Sequence, residues 1–275
     1  MRDQSILITG CSSGIGLASA RAMAERGWRV FATAREQDDL DRLKTIPNVT
    51  PVALELRDGA SIEACVAKVL TANDGKIGAL FNNAGYAQPG AIEDVAVEHL
   101  REQFEVNVFG GHELIRRVLP AMRAAGNGRI VQCSSVLGFI SAPFRGAYCA
   151  SKFAMEGLTD ALRLELRNTN IHVVLIEPGP IETKFVDRAL EQAETTIDMD
   201  GSVHAEVYRD LLEKMKAGGT QTFKMPPEAV AAKLVMAVTE PRPSARYRIT
   251  TPTHAAAAMK RVLPTSAMDW IAARN

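Results

Sequence analysis

Seven short apolar runs punctuate the chain, at residues 5–9, 29–33, 49–54, 79–82, 128–133, 172–177 and 247–250. They are continuously apolar rather than alternating, which predicts strands covered on both faces. Between the first six lie stretches of helical periodicity, roughly 14–26, 38–45, 60–72, 97–124 and 150–168. Strand–helix alternation of this kind predicts right-handed βαβ units, hence an α/β fold with a doubly wound parallel sheet of about seven strands. No internal repeat, low-complexity tract or linker interrupts it, so residues 1–275 read as one domain.

Residues 180–225 break the rhythm. Structureless segments of that length are rare inside compact domains and usually functional. Val203, Val207, Leu211 and Met215 recur at intervals of four, which predicts one short amphipathic helix there. The segment reads as a lid over a substrate site.

Composition narrows the function. Of 275 residues 47% are hydrophobic, ample for a packed core, and 32 basic side chains balance 32 acidic ones. A net charge of zero excludes nucleic acid as the main partner, because phosphate binding needs a basic excess. No apolar run approaches the ~18 residues of a membrane span. The strand-like start Ser5-Ile6-Leu7-Ile8 leaves no room for a secretory signal. Cys11, Cys65, Cys133 and Cys149 lack metal-ligand spacing, and His112 and His172 stand alone, so no metal is expected. Unpaired cysteines fit reduced, buried fillers in a cytoplasmic protein.

Candidate chemistry begins directly after the first strand, in Thr9-Gly10-Cys11-Ser12-Ser13-Gly14-Ile15-Gly16. Glycines there let the backbone approach a pyrophosphate at a helix N-terminus, where free N–H groups and the dipole favour anions. A tight βα corner alone would use the same glycines; the position at the first strand of a βα series favours a Rossmann fold. At the end of the second strand, where a carboxylate would hold a ribose 2′-OH, the chain has Ala34 and then Arg35. A guanidinium without a competing carboxylate suits a 2′-phosphate, as in NADP(H), with Ser12 as a second donor.

Tyr148 and Lys152 are four apart on an expected helix and share one face; Ser135 follows the fifth strand, at the carboxyl edge of the sheet. A phenol of pKa near ~10 is a poor base at neutral pH. An ammonium ~4 Å away, at an effective dielectric of ~20, favours phenolate by about 4 kcal/mol. That would lower the phenol pKa by up to about three, into the range useful for general acid–base catalysis.

These motifs, with Asn82-Asn83-Ala84-Gly85, Asn107, and Pro178-Gly179 followed by Thr183, occur in the order and spacing of the short-chain dehydrogenase/reductases. The resemblance spans about residues 5–250. It is nearest to the branch of 17β-hydroxysteroid dehydrogenases, retinol dehydrogenases and bacterial NADP-dependent aldehyde reductases. It implies that Tyr148 is the proton donor or base, that Ser135 orients the substrate oxygen, and that Lys152 lowers the tyrosine pKa and holds the nicotinamide ribose. Asn107 would hold a relay water. Gly10, Ser12, Ser13, Gly14, Ile15, Gly16 and Arg35 would bind the phosphates. Asn83, Ala84 and Gly85 would contact the adenosine ribose, and Pro178, Gly179 and Thr183 the carboxamide. Where the family often has Asp-Val for adenine, this chain has Glu55-Leu56-Arg57-Asp58; Glu55 is the expected acceptor and Asp58 the fallback.

An apolar set, Val136, Leu137, Phe139, Pro143, Phe144, Phe185 and Val186, is the expected substrate pocket, suited to a hydrophobic aldehyde, ketone or alcohol. NADP(H)-dependent interconversion of such a carbonyl and its alcohol by hydride transfer, in either direction, is the expected activity; a non-catalytic NADP(H) sensor or scaffold of the same fold is the alternative. The resemblance also implies a homodimer or homotetramer through helices 97–124 and 150–168. The net zero is unevenly distributed. Residues 180–219 hold nine acids against five bases, and residues 241–275 hold six bases against Asp269 alone. The basic tail, 253–275, would dock near the acidic lid or rest on a membrane or partner surface.

Overall fold

The computed structural model describes residues 3–216 and 223–274. Residues 217–222 of the expected lid, and Asn275 of the expected tail, lie outside the described residues. Seven strands, β1 (Ser5–Ile8), β2 (Arg29–Ala34), β3 (Val49–Ala53), β4 (Ala79–Asn82), β5 (Gly128–Cys133), β6 (Ile171–Pro178) and β7 (Arg246–Ile249), form one sheet. Its order is β3-β2-β1-β4-β5-β6-β7 and every pairing is parallel. The order reverses between β1 and β4, which opens a crevice at the carboxyl ends of the strands.

Helices cover both faces. The strands' side chains point alternately to either face, so Ile6, Ile8, Phe81 and Val131 pack against α1 (Gly14–Ala24), while Leu7, Leu80 and Ile130 face the other layer. α2 (Gln37–Lys44) follows β2, and α3 (Gly59–Ala72) lies in the layer under Leu7. The expected helix 97–124 is two helices, α4 (Val97–Phe104) and α5 (Gly110–Ala124), joined by a π turn over Glu105–Phe109. That turn carries Asn107; π turns recur at functional sites because they re-aim one side chain inside a continuous helix. The expected helix 150–168 is α6 (Gly146–Glu165), whose earlier start brings Tyr148 into its first turn.

Among its described residues the segment expected as a lid holds two helices instead of one: α7 (Phe185–Thr196) and α8 (Ala205–Lys216). Val203 precedes α8 and is 86% exposed, and Val207 is 42% exposed; the buried residue is Tyr208, at 4%. The periodic valines therefore mark the wrong face. A tyrosine hydroxyl with two polar partners buries better than the pattern of aliphatics alone indicates. α9 (Pro227–Thr239) packs on α1, and α10 (Thr251–Val262) and α11 (Thr265–Ala272) end the chain. Among the described residues no helix is long and apolar enough to cross a membrane.

Candidate active site

A cleft of about 1500 Å³ runs along the carboxyl edge of the sheet. At one end, Gly10 (φ +71°) and Gly14 (φ +55°) take the left-handed backbone that only glycine adopts without strain. A Cβ on Gly10 would lie 2.9 Å from the Ala84 Cα, and one on Gly16 would run into the Gly10 carbonyl. The turn after β4 is stitched to this loop: Asn83 N and Ala84 N donate to the Thr9 hydroxyl, and Asn83 Nδ2 donates to the Thr9 carbonyl, each at 2.9 Å. Ser13 caps α1 with no side-chain hydrogen bond. The first-turn N–H groups are left to face the cleft beside Ser12, Gly14 and Ile15, the donor set a diphosphate needs.

Arg35 and Glu55 stand on the cleft wall, with Arg35 Nη1 3.8 Å from Glu55 Oε2. Glu55 also accepts from Arg57 N, Nε and Nη2 at 3.0, 3.2 and 3.1 Å. Burial pushes this carboxyl up, but the hydrogen bonds and charge of Arg57, with Arg35 adding to them, outweigh it and hold the pKa below its ordinary value. Asp58 is occupied elsewhere: it caps α3, accepting from Ala60 N at 2.9 Å, and does not reach the cleft. The fallback acceptor is thereby removed.

At the other end, Ser135, Tyr148 and Lys152 converge on the wall. Ser135 opens a short 3₁₀ turn, Val136–Gly138, and its Oγ accepts from Leu137 N at 3.1 Å. Lys152 is buried and donates to the Cys133 carbonyl at 2.8 Å. Its Nζ stands 5.7 Å from the centroid of the Tyr148 ring. The electrostatics differ from expectation. Burial pushes the Tyr148 phenol well above its ordinary pKa, and a hydrogen bond with Ser135 offsets this only in part. Burial likewise pulls the Lys152 ammonium down. In the chain by itself burial dominates both groups, raising the Tyr148 phenol and lowering the Lys152 ammonium.

Asn107 lies behind the cleft rather than on it, in the wall of a smaller cavity of about 340 Å³ between α5 and α6. Its amide donates to the Tyr86 carbonyl and to Ser151 Oγ, and its Oδ1 accepts from Tyr86 N. A Cβ on Gly85 would come within 2.9 Å of Asn107 Oδ1 and 3.7 Å of Lys152 Nζ, so Gly85 keeps the space between them open.

Of the other expected residues, Leu56, Ala84, Gly85, Pro178, Gly179, Thr183, Val136, Leu137, Phe185 and Val186 line the cleft. Phe139, Pro143 and Phe144 do not. Phe139 lies under the Arg248 guanidinium, 5.9 Å from its ring centroid, and Phe144 turns through a left-handed φ of +58° to pack edge-on against Tyr208 and His204. Sequence spacing places them after Ser135, but the chain there folds back and carries them away. Absent from the expected pocket set were Ile140, Met215, Ala255, Met259, Leu263 and Met268, all on the cleft, although Met215 belongs to the four-residue repeat of the expected lid. The Ala/Met-rich stretch within the basic tail was the available signal.

A parallel sheet with a glycine cradle at its reversal point and a buried Ser–Tyr–Lys set at the other end of one cleft defines a nucleotide-dependent oxidoreductase. The chain belongs to the short chain dehydrogenase family, which it matches over residues 4–194. It is 40% identical to the uncharacterized oxidoreductase YbbO of Escherichia coli (strain K12) over 270 residues, 98% of this chain and 94% of that protein. It is 32% identical to retinol dehydrogenase 8 of Bos taurus, over 96% of this chain and 87% of the relative. A solved short chain dehydrogenase/reductase from Burkholderia phymatum, in complex with NAD, superposes with a TM-score of 0.79 at 27% identity, covering 94% of this chain and 92% of its own.

Proposed function

We propose that the chain is an NADP(H)-dependent reductase or dehydrogenase interconverting a hydrophobic aldehyde or ketone with its alcohol. The observation that carries this is the convergence of Ser135, Tyr148 and Lys152 on a cleft whose adjoining wall is apolar. The glycine cradle and uncapped α1 fit a dinucleotide, which supplies or accepts the hydride when bound. Arg35 and Ser12 would hold the 2′-phosphate, Glu55 and Leu56 the adenine, Asn83 and its neighbours the adenosine ribose, and Pro178, Gly179 and Thr183 the carboxamide. In reduction Tyr148 gives its proton to the carbonyl oxygen, which Ser135 orients by a hydrogen bond. A neutral phenol raised by burial is the correct form of a proton donor. Lys152 stabilises the phenolate left behind and Asn107 sustains the route by which a proton returns.

One catalytic unit would then carry a lid, α7–α8, and a tail, α10–α11, both of which contribute residues to the lining of the cleft. Phe109 and Leu158, both exposed on the π turn and α6, suit burial against a second copy in a cytoplasmic homodimer or homotetramer. The test is NADPH consumption against aliphatic aldehydes, aromatic aldehydes, steroids and retinoids, expected to show turnover of an apolar carbonyl that Tyr148→Phe abolishes while NADPH still binds. Tight NADPH binding with no turnover of any carbonyl would establish the sensor alternative instead.

A further inference from the structure

One helical turn beyond Lys152, Glu156 is buried and stops short of the cleft. Its Oε2 accepts from Arg246 Nη2 at 3.0 Å, and the same nitrogen donates to Asp160 Oδ2 at 2.8 Å. Arg246 Nε and Arg248 Nε stand 2.8 and 2.9 Å from the two oxygens of Glu177, whose carboxylate is fully buried on β6. Arg163 completes the cluster on Asp160 at 2.8 Å. On its other side Glu156 packs against the turn that Ser135 opens: a Cβ on Gly138 would lie 3.1 Å from Glu156 Cγ and 3.2 Å from its Oε1. Arg248, above Phe139, reaches the residue that ends the same turn.

Glu156 and Glu177 are buried while their cationic partners are part-exposed. Burying two carboxylates is expensive unless their geometry is fixed, and a pair retained at that expense is a candidate for a positional role. Here the cluster touches three things that catalysis needs aligned: the helix of Tyr148 and Lys152, the turn of Ser135, and β7, which leads into the cleft-lining α10. We propose that Glu156, braced by Arg246, is a positioning residue that keeps Lys152 protonated and fixes the Ser135 turn. The proposal rests on the reductase reading for its kinetic consequences. Lys152 is faced by Tyr148 and Glu156 from α6 and by Cys133 from β5; Glu156 is faced by Arg246 from β7, Glu177 from β6 and Asp160 from α6. Burial pushes the Glu156 carboxyl up and Arg246 works against that; the charge Arg246 supports on Glu156 opposes the desolvation that pulls the Lys152 proton away.

The test is the isosteric Glu156→Gln, with Asp160→Asn as a control that disturbs Arg246 at a longer remove from Lys152. In ligand-free protein labelled with ¹³C-lysine, the Lys152 resonance, assigned by its loss in Lys152→Met, should titrate at lower pH in Glu156→Gln and be unmoved in Asp160→Asn. In the loaded enzyme the alkaline limb of kcat should move to lower pH with KM little changed. Glu156→Asp, which keeps the charge one methylene away, should return the titration close to wild type, and Glu156→Leu serves as the charge-removing variant if the glutamine variant does not fold. An unmoved Lys152 titration in folded Glu156→Gln or Glu156→Leu overturns the proposal. Wild-type protein that turns over no carbonyl would instead fault the reductase reading, leaving the ligand-free titration as it was.

Discussion

The Lys152 ammonium stands 5.7 Å from the centroid of the Tyr148 ring, tethered there by the Cys133 carbonyl at 2.8 Å. It lies over the ring face, and burial, not this charge, dominates the phenol. In the ligand-free protein Tyr148 should therefore stay neutral well past pH 10. The sign follows from linkage: a folded-state pKa above the unfolded one binds the proton more tightly in the native state, so stability falls as pH rises beyond the unfolded pKa. Ultraviolet difference titration checks this. Tyr148→Phe should remove no phenolate signal between pH 7 and 10, and a wild-type signal in that range lost in the variant would contradict it.

On the proposed NADP(H) reading Arg35 would hold the 2′-phosphate; its 3.8 Å pairing with Glu55 is loose and Arg57 holds Glu55 more closely. Phosphate binding thus requires little to be broken. Arg35→Ala should weaken NADP binding by about tenfold or more, the range of a charge-assisted hydrogen bond at ~1.5–3 kcal/mol, and leave NAD almost unchanged. Titrating both dinucleotides by fluorescence separates the two; equal losses would show that Arg35 does not read the phosphate.

The sheet, and the juxtaposition of Tyr148 and Lys152 in the candidate site, were legible because they rest on local regularities. Apolar runs such as 79–82 and 128–133 match strands residue for residue, and Tyr148 and Lys152 share a face by helical arithmetic. What escaped depends on distant contacts. The sense of the Tyr148 shift comes from burial by side chains such as Phe185, 37 residues away and 5.6 Å from its ring. The displacement of Phe144 comes from Tyr208, and the cleft wall of Met259 and Met268 from a tail whose sequence announces only charge and apolar content. Asp58 spends a carboxylate oxygen on capping α3, a bond set by where that helix begins.

Gly14 binds two constraints into one position. Its φ of +55° disfavours any Cβ, and that Cβ would lie 2.9 Å from Thr183 Cγ2 across the cleft. Gly14→Ala should cost about 1–2 kcal/mol from the left-handed backbone and displace Thr183 besides. Adding Thr183→Ser removes the methyl in the way and keeps the hydroxyl. Dinucleotide affinity should then recover in part while thermal stability does not, a split that calorimetry and fluorescence titration read together.

Tyr208 fastens the lid. Its hydroxyl donates to Asp94 Oδ2 and accepts from Ala91 N, at 2.7 and 2.8 Å, and Ser202 donates to the same carboxylate at 2.7 Å. Tyr208→Phe leaves the Ala91 N–H buried without a partner, which costs about 1–3 kcal/mol. α8 should loosen, and because Met215 of that helix lines the cleft, KM for an apolar carbonyl should rise more than kcat falls. The Tyr208 and Ser202 hydrogen bonds hold the Asp94 carboxyl below its ordinary value. Its contribution is therefore present above the unfolded pKa and lost as pH falls through the folded one. Removing the larger of the two causes brings that loss to higher pH. Proteolysis within the lid of Tyr208→Phe should then begin at a higher pH than in wild type as the solution is acidified, and coincident onsets would exclude Asp94 as the anchor.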